Sequence, residues 1–263
     1  MRLDVVHTTQ YAYDSPVRAS TQYLRLTPRD SARQSVVSWR LEAPGTPTQV
    51  TDGYGNVLHV LTLDRPVREI RIRVSGTVDT RSVYDEGADP VPLSPLVFTR
   101  PTALTRAESE LAVFAERFRR AAGSPSGLGE LAAAILKKMP FTRGGTHAGN
   151  SAAEAFALSS GVCQDHTHVF LACCRHLGVP ARYVSGYLYS EGAPEVASHA
   201  WAEAWTLDRW RSFDIANSRP AGEQHIKLAV GADYLDACPI RGTRVGGGGE
   251  KMVAVASVAQ SQQ

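Results

Sequence analysis

The sequence has few cysteines and no long hydrophobic run. Of its 263 residues only 4 are cysteine, and two of these, Cys173 and Cys174, are adjacent, a spacing that suits a disulfide framework poorly. No segment approaches the ~20 consecutive apolar residues that a membrane helix needs. The first residues are interrupted by Asp4 and His7, so they lack the apolar run of a signal peptide. We therefore expect a cytoplasmic protein with reduced thiols and no membrane partner.

An excess of charge of one sign is also missing. Lysine and arginine number 28 against 26 acidic residues, which gives a net charge of +2. The densest basic run is the pair at 137–138, and the arginines at 117–120 share a predicted helix with acidic residues, so we expect no nucleic-acid partner. Hydrophobic residues make up 43% and charged residues 21%, the composition of an ordinary globular enzyme.

The first part of the chain has the two-residue periodicity of half-buried strands. Apolar and polar residues alternate over residues 37–41 and again over 70–74. Between them, residues 52–56 read Asp-Gly-Tyr-Gly-Asn, a strong turn signal. This pattern predicts an all-β, sandwich-like N-terminal domain over residues 1–80.

After residue 80 the sequence predicts a linker, a mixed domain and a C-terminal segment. Four prolines fall within the last twelve residues of 81–101, which predicts a linker because proline removes a backbone donor. Helical spacing followed by strand-like runs predicts a mixed domain over 102–242. A glycine run at 246–249 predicts a hinge within a C-terminal segment, 243–263, that ends in a strand.

Cys163 stands where a long helix is predicted to begin. Helical spacing of apolar residues continues to Leu177, where Gly178 and Pro180 end the helix. The free N–H groups and positive dipole end of a helix start stabilise a thiolate and can help to hold an oxyanion. By its position alone, Cys163 is equally consistent with a small buried core residue. Two threonine or serine to glutamate pairs, at 105–108 and 151–154, predict capped starts of earlier helices.

His199 and Asp214 are predicted to meet on one face of a β-hairpin. Large residues alternate with alanine over 199–205, and a short turn leads to the run that ends at Asp214. If Trp205 pairs with Trp210, Asp214 becomes the diagonal neighbour of His199, ~7–8 Å away along the backbones. The carboxylate would then orient the imidazole, and the imidazole would take the thiol proton. Each residue alone has an ordinary structural explanation, but the order Cys, His, Asp favours a catalytic site.

Several segments resemble bacterial transglutaminase-like proteins. They are the nucleophile string Gly-Val-Cys-Gln-Asp-His-Thr-His (161–168) and the runs at 178–187, 198–203, 210–214 and 225–234. The all-β start is similar to the module that precedes this domain in many bacterial members. The resemblance covers nearly the whole chain. It implies an α+β, papain-like core in which a helix carries the cysteine and an antiparallel sheet carries the other two residues.

By that resemblance, Cys163 is the nucleophile, His199 the general base and acid, and Asp214 the orienting acid. The reaction implied is acyl transfer from a protein or peptide amide through a thioester, most simply hydrolysis by a peptidase or amidase. Transamidation by an amine and a non-catalytic binding module on the same fold are the alternatives. No cofactor is implied, and the spacing of the cysteines and histidines fits no usual metal site. At 215–217 the chain has Ile-Ala-Asn where members commonly have Pro-Thr-Asn, and the second oxyanion donor is unidentified.

Overall fold

The computed structural model describes residues 1–82, 93–192, 195–196 and 198–261, with the backbone alone at 195–196. Within these ranges the chain forms two antiparallel sheets, five α-helices and one 3₁₀ helix. The predicted α+β class, with a sheet-rich N-terminal region, is therefore confirmed. Among the helices of the described residues, none is long and apolar enough to cross a membrane.

The strands, in chain order, are β1 (Arg2–Leu24), β2 (Gln34–Glu42), β3 (Thr48–Thr51), β4 (Val57–Leu63), β5 (Val67–Thr80), β6 (Ala181–Leu188), β7 (Glu195–Val196), β8 (His199–Thr206), β9 (Arg209–Phe213), β10 (His225–Gly231), β11 (Ile240–Gly246) and β12 (Glu250–Gln260). The α-helices are α1 (Ser109–Glu116), α2 (Pro125–Lys138), α3 (Ala152–Leu158), α4 (Cys163–His176) and α5 (Tyr234–Ala237), and the 3₁₀ helix is Pro95–Thr99.

The larger sheet is organised around β1, which is 23 residues long. Its first half pairs with β5 and β12, and its second half pairs with β4 and β11. The pairing with β5 shifts register between Ala12 and Val17, where the strand passes from one half of the sheet to the other. Leu61 of β4 and Ile72 of β5 belong to one buried cluster, so the two halves share a core, as in a sandwich.

The C-terminal segment adds two strands to this sheet. Leu3 of β1 pairs with Gln260 of β12, and the ladder continues over eleven residue pairs. The glycines predicted to form a hinge instead make the turn between β11 and β12. Gly247 has φ = 96°, a left-handed conformation that side chains disfavour. The predicted linker at 81–101 lies partly outside the described residues; its described end contains the 3₁₀ helix. The predicted domain limits stay a prediction.

The smaller sheet, in the order β10-β6-β8-β9, packs against α4. Every residue of α4 from 165 to 175 is buried, because α1, α2 and α3 cover the sides that the sheet leaves open. The capping box at Ser151 and Glu154 is confirmed. The one predicted at 105–108 is wrong, because α1 begins at Ser109 and the hydroxyl of Thr105 accepts a hydrogen bond from buried Arg175 instead.

A buried ion cluster ties three strands of the smaller sheet together. The fully buried carboxylate of Glu203 contacts Arg182 at 2.6 Å and Lys227 at 2.5 Å. Burial alone would raise the pKa of Glu203, but the two cations outweigh it and lower the pKa to about 2. The guanidinium of Arg182 also lies 4.1 Å from a ring centroid of Trp210. The cluster fixes the relative positions of β6, β8 and β10, which carry or flank the candidate site.

Candidate active site

Cys163 is the first residue of α4, as the sequence predicts. The turn before it is held by Asp165, whose Oδ2 accepts the Val162 N–H at 2.8 Å and the Thr146 hydroxyl at 2.6 Å. A side chain at Gly161 would begin 2.7 Å from the Asp165 side chain, so only glycine fits there. These residues hold Cys163 at the helix start, and Asp165 has a structural role.

Cys163 differs from the other three cysteines, all of which lie in the described part of the chain. It is partly exposed, whereas Cys173, Cys174 and Cys238 are buried. Burial raises the pKa of each of these three thiols, which keeps them protonated and unreactive. Only Cys163 of the four is accessible to a substrate.

The hairpin that carries His199 and Asp214 has the predicted register. Trp205 of β8 pairs with Trp210 of β9. His199 begins β8, and Asp214 immediately follows β9. The His199 Nε2 lies 2.9 Å from the Asp214 Oδ2, so the two side chains form a hydrogen bond.

Cys163 and His199 line the same cleft, and the interaction with Cys163 contributes to the raised pKa of His199. Because the His199 Nε2 bonds Asp214, Nδ1 is the ring nitrogen left to exchange a proton with the thiol. Burial lowers the pKa of His199, but the hydrogen bond to Asp214 and the interaction with Cys163 outweigh it and raise the pKa to about 9. The three residues predicted from the sequence thus lie together, while their catalytic roles stay predictions.

Asp214 accepts more hydrogen bonds than the predicted one. Its Oδ2 accepts from the His225 Nε2 at 2.9 Å and from the Asn217 Nδ2 at 2.8 Å, besides His199. Its Oδ1 accepts the Asn217 N–H at 3.2 Å. Burial raises the pKa of Asp214, but the hydrogen bonds from the two histidines outweigh it and lower the pKa below its usual range. The carboxylate therefore keeps its charge.

The sequence patterns predict no role for His225 or Asn217. Asn217 lies at the departure from the family pattern, and His225 begins the run 225–234. Asn217 lies three residues after Asp214, and this short spacing is the signal that could have predicted its contact. His225 reaches Asp214 from a different strand, β10, so only the arrangement of the sheet brings these two together.

His199, Asp214 and His225 each offer one atom that could bind a metal, and these atoms lie within 4.8 Å of one another. The hydrogen bonding of His225 argues against a metal here. Its Nδ1 accepts the Gly222 N–H at 3.0 Å, so the neutral ring carries its proton on Nε2. A metal would need the Nε2 lone pair, which that proton occupies. The donor set fits a hydrogen-bonded cluster.

Cys163 and His199 line a cleft of about 540 Å³. Its other lining residues include Phe141, Arg143, Gln164, Leu188, Asn217 and Tyr234. Tyr183 also lines it; burial, with a smaller contribution from Cys163, raises the pKa of this phenol, which stays a hydrogen-bond donor. A second cavity of about 480 Å³ touches Asp214, but its described lining contains no cysteine or histidine. The cleft is therefore the better candidate for substrate binding.

Comparisons with known proteins identify the family and the fold. Residues 3–79 match the family model of the bacterial transglutaminase-like N-terminal region, and residues 114–215 match that of the transglutaminase-like superfamily. The Mycobacterium leprae protein ML0607 is 32% identical over 98% of this chain and 98% of its own length. The Mycobacterium tuberculosis protein Rv2569c is 31% identical over 92% of this chain and 87% of its own. The crystal structure of a candidate cysteine protease from Cytophaga hutchinsonii has a TM-score of 0.81, 20% identity, and coverage of 100% of this chain and 91% of that one, which shows the fold.

Proposed function

Since this chain belongs to the bacterial transglutaminase-like family, we propose that it is a cysteine-nucleophile enzyme that cleaves amide or peptide bonds. Cys163 is the nucleophile, His199 the general base and acid, and Asp214 the residue that orients His199. One observation supports the proposal above all: His199 bonds the Asp214 carboxylate, and its imidazole lines the same open cleft as Cys163 at the start of α4.

In the proposed reaction the raised pKa of His199 keeps on the imidazole the proton that the Cys163 thiol has given up, and the thiolate sulfur attacks the carbonyl carbon of the amide. The backbone N–H of Cys163 binds the tetrahedral oxyanion. This N–H is available because Cys163 is in the first turn of α4, where backbone N–H groups have no partner within the helix. His199 protonates the leaving amine nitrogen as the C–N bond breaks, and a thioester remains. His199 then takes a proton from a water molecule, which attacks the thioester and releases the acid, and the Cys163 thiolate and the protonated His199 are restored.

Hydrolysis is the proposed outcome because water needs no binding site of its own. Transamidation shares the first half of this reaction and differs only in the nucleophile that resolves the thioester. The test is a glutamine-containing peptide incubated with the protein and an excess of a lysine analogue. Free acid as the main product supports hydrolysis, and amine-exchanged product as the main one would make the protein a transamidase. The cytoplasmic location is likewise proposed from the sequence, and cell fractionation tests it.

The first experiment tests the thiol itself. The rate of iodoacetamide labelling is measured by intact mass from about pH 4 to about pH 10 in the wild type, Cys163→Ala and His199→Ala. We expect a single fast site near neutral pH, lost in Cys163→Ala and slowed at least about tenfold in His199→Ala. Cys173→Ala serves as the matched control, because this buried thiol should remain unlabelled in the native protein. Labelling that ignores His199 would refute the proposed pair.

A further inference from the structure

We propose that His225 is a positioning residue that holds the Asp214 carboxylate in the orientation His199 requires, an inference that rests on the proposed function. His225 touches neither the cleft nor Cys163 among the described contacts. It acts through Asp214, whose Oδ2 it shares with His199 at the same distance of 2.9 Å.

Asp214 needs such support because it lies past the end of β9. Its backbone is fixed by a single bridge, in which the Asp214 N–H donates to the Arg219 carbonyl at 2.8 Å. The carboxylate could turn about its own side-chain bonds unless other groups hold it. Three donors converge on Oδ2, whereas Oδ1 accepts one longer bond. This asymmetry keeps Oδ2 directed toward the two imidazoles.

His225 is itself held on three sides. The Gly222 N–H donates to its Nδ1 and thereby fixes the proton on Nε2. The Trp201 ring meets the imidazole edge to face, with ring centroids 5.2 Å apart and planes at 79°. The side chain is buried, and burial lowers its pKa despite the neighbouring Asp214. His225 therefore gives Asp214 a permanent neutral donor, which orients the carboxylate without neutralising its charge.

Glutamine and leucine separate this role from simple packing. A glutamine side chain can place an amide N–H near the position of Nε2, while leucine fills much of the volume and donates nothing. His7 provides the matched control, because it is also buried and bonds Tyr187 at 2.8 Å in another part of the sheet system. The comparison set is thus His225→Leu, His225→Gln and His7→Leu, each in the full chain.

The first test uses the wild type alone and needs no variant to fold. Side-chain ¹⁵N NMR of the histidines at neutral pH reports where each imidazole carries its proton. We expect His225 to be neutral with its proton on Nε2, and His199 to be doubly protonated. A His225 that carries its proton on Nδ1, or that is doubly protonated, overturns the proposal.

The second test follows the titration of His199 by the same NMR signals. We expect the pKa of His199 to fall by about one pH unit or more in His225→Leu, to recover in His225→Gln, and to stay as in the wild type in His7→Leu. An unchanged or raised His199 pKa in His225→Leu overturns the proposal, and so does a glutamine variant that behaves like leucine. Near-ultraviolet circular dichroism verifies that each variant is folded.

The third measurement separates this inference from the proposed function. Iodoacetamide labelling of Cys163 at neutral pH should slow about tenfold in His225→Leu and return in His225→Gln. If wild-type labelling does not depend on His199, the proposed function fails, while the NMR titrations still decide whether His225 orients Asp214. If labelling depends on His199 but not on the donor at position 225, the proposed function is supported and the role of His225 is refuted.

Discussion

The raised pKa of His199 makes the stability of the protein depend on pH in a defined way. In the unfolded chain this histidine has its ordinary pKa of 6.5, and in the fold the pKa is about 9. A group whose pKa is raised by folding stabilises the fold fully at pH values below its unfolded pKa. That stabilisation declines as the pH rises through the folded pKa, because both states then bind no proton.

The size of the effect follows from the same two values. At ~1.4 kcal/mol for each pH unit, the gap between 6.5 and about 9 corresponds to ~3 kcal/mol of unfolding free energy. Most of this, ~2–3 kcal/mol, is still present at neutral pH, and little remains above about pH 10. His199 is only 9% exposed, so solvent screens its interactions weakly.

Urea unfolding of the wild type and His199→Gln, measured from about pH 6 to about pH 10, tests this. Glutamine cannot titrate, so subtracting the two curves removes the contributions of the groups that do not interact with His199. We expect the difference between the unfolding free energies to shrink by ~3 kcal/mol across this range, with half of it lost by about pH 8, between the unfolded and folded pKa values. Parallel curves would mean that His199 is not protonated at neutral pH, and the assigned contacts with Asp214 and Cys163 would be wrong.

Three further predictions concern the surrounding structure. Arg182→Met should lower the free energy of unfolding in urea by ~3 kcal/mol or more, because Glu203 stays buried with fewer partners. Adding Glu203→Gln should recover part of this loss, and a loss below ~1 kcal/mol would contradict the prediction. Ending the chain at Gly249 removes β12 and uncovers Leu3, so thermal unfolding should begin at a lower temperature; an unchanged transition would refute that. Excess chelator should leave His199-dependent thiol labelling unchanged, and a loss restored by added zinc would indicate a metal at Asp214.

The sequence predicts those parts of the site that local patterns encode. The alternation of large and small residues in β8 gives the face of His199, and the short turn gives the pairing of Trp205 with Trp210. The helical stripe that ends at Gly178 gives the start of α4 at Cys163. In each case the information lies within about fifteen residues, the range over which periodicity and capping act.

The parts that failed depend on contacts between distant residues. The capping box at Thr105 did not form because Arg175, from α4, takes the threonine hydroxyl. The His225 donor to Asp214 belongs to another strand, β10. No periodicity reports which side chains two non-adjacent strands bring to one carboxylate. The pairing of β1 with β12 is unpredictable for the same reason.

The pairing of β1 with β12 affects how the protein folds while it is being synthesised. The first half of β1 leaves the ribosome early, yet β12, one of its two neighbours, is synthesised after everything else described in the chain. During translation β1 therefore has β5 on one side and an open edge on the other, and an open edge favours pairing with other chains. The segment that carries Cys163, His199 and Asp214 is synthesised before β12 can complete the larger sheet. Nascent chains arrested before β12 should accordingly depend on chaperones more than the finished protein does.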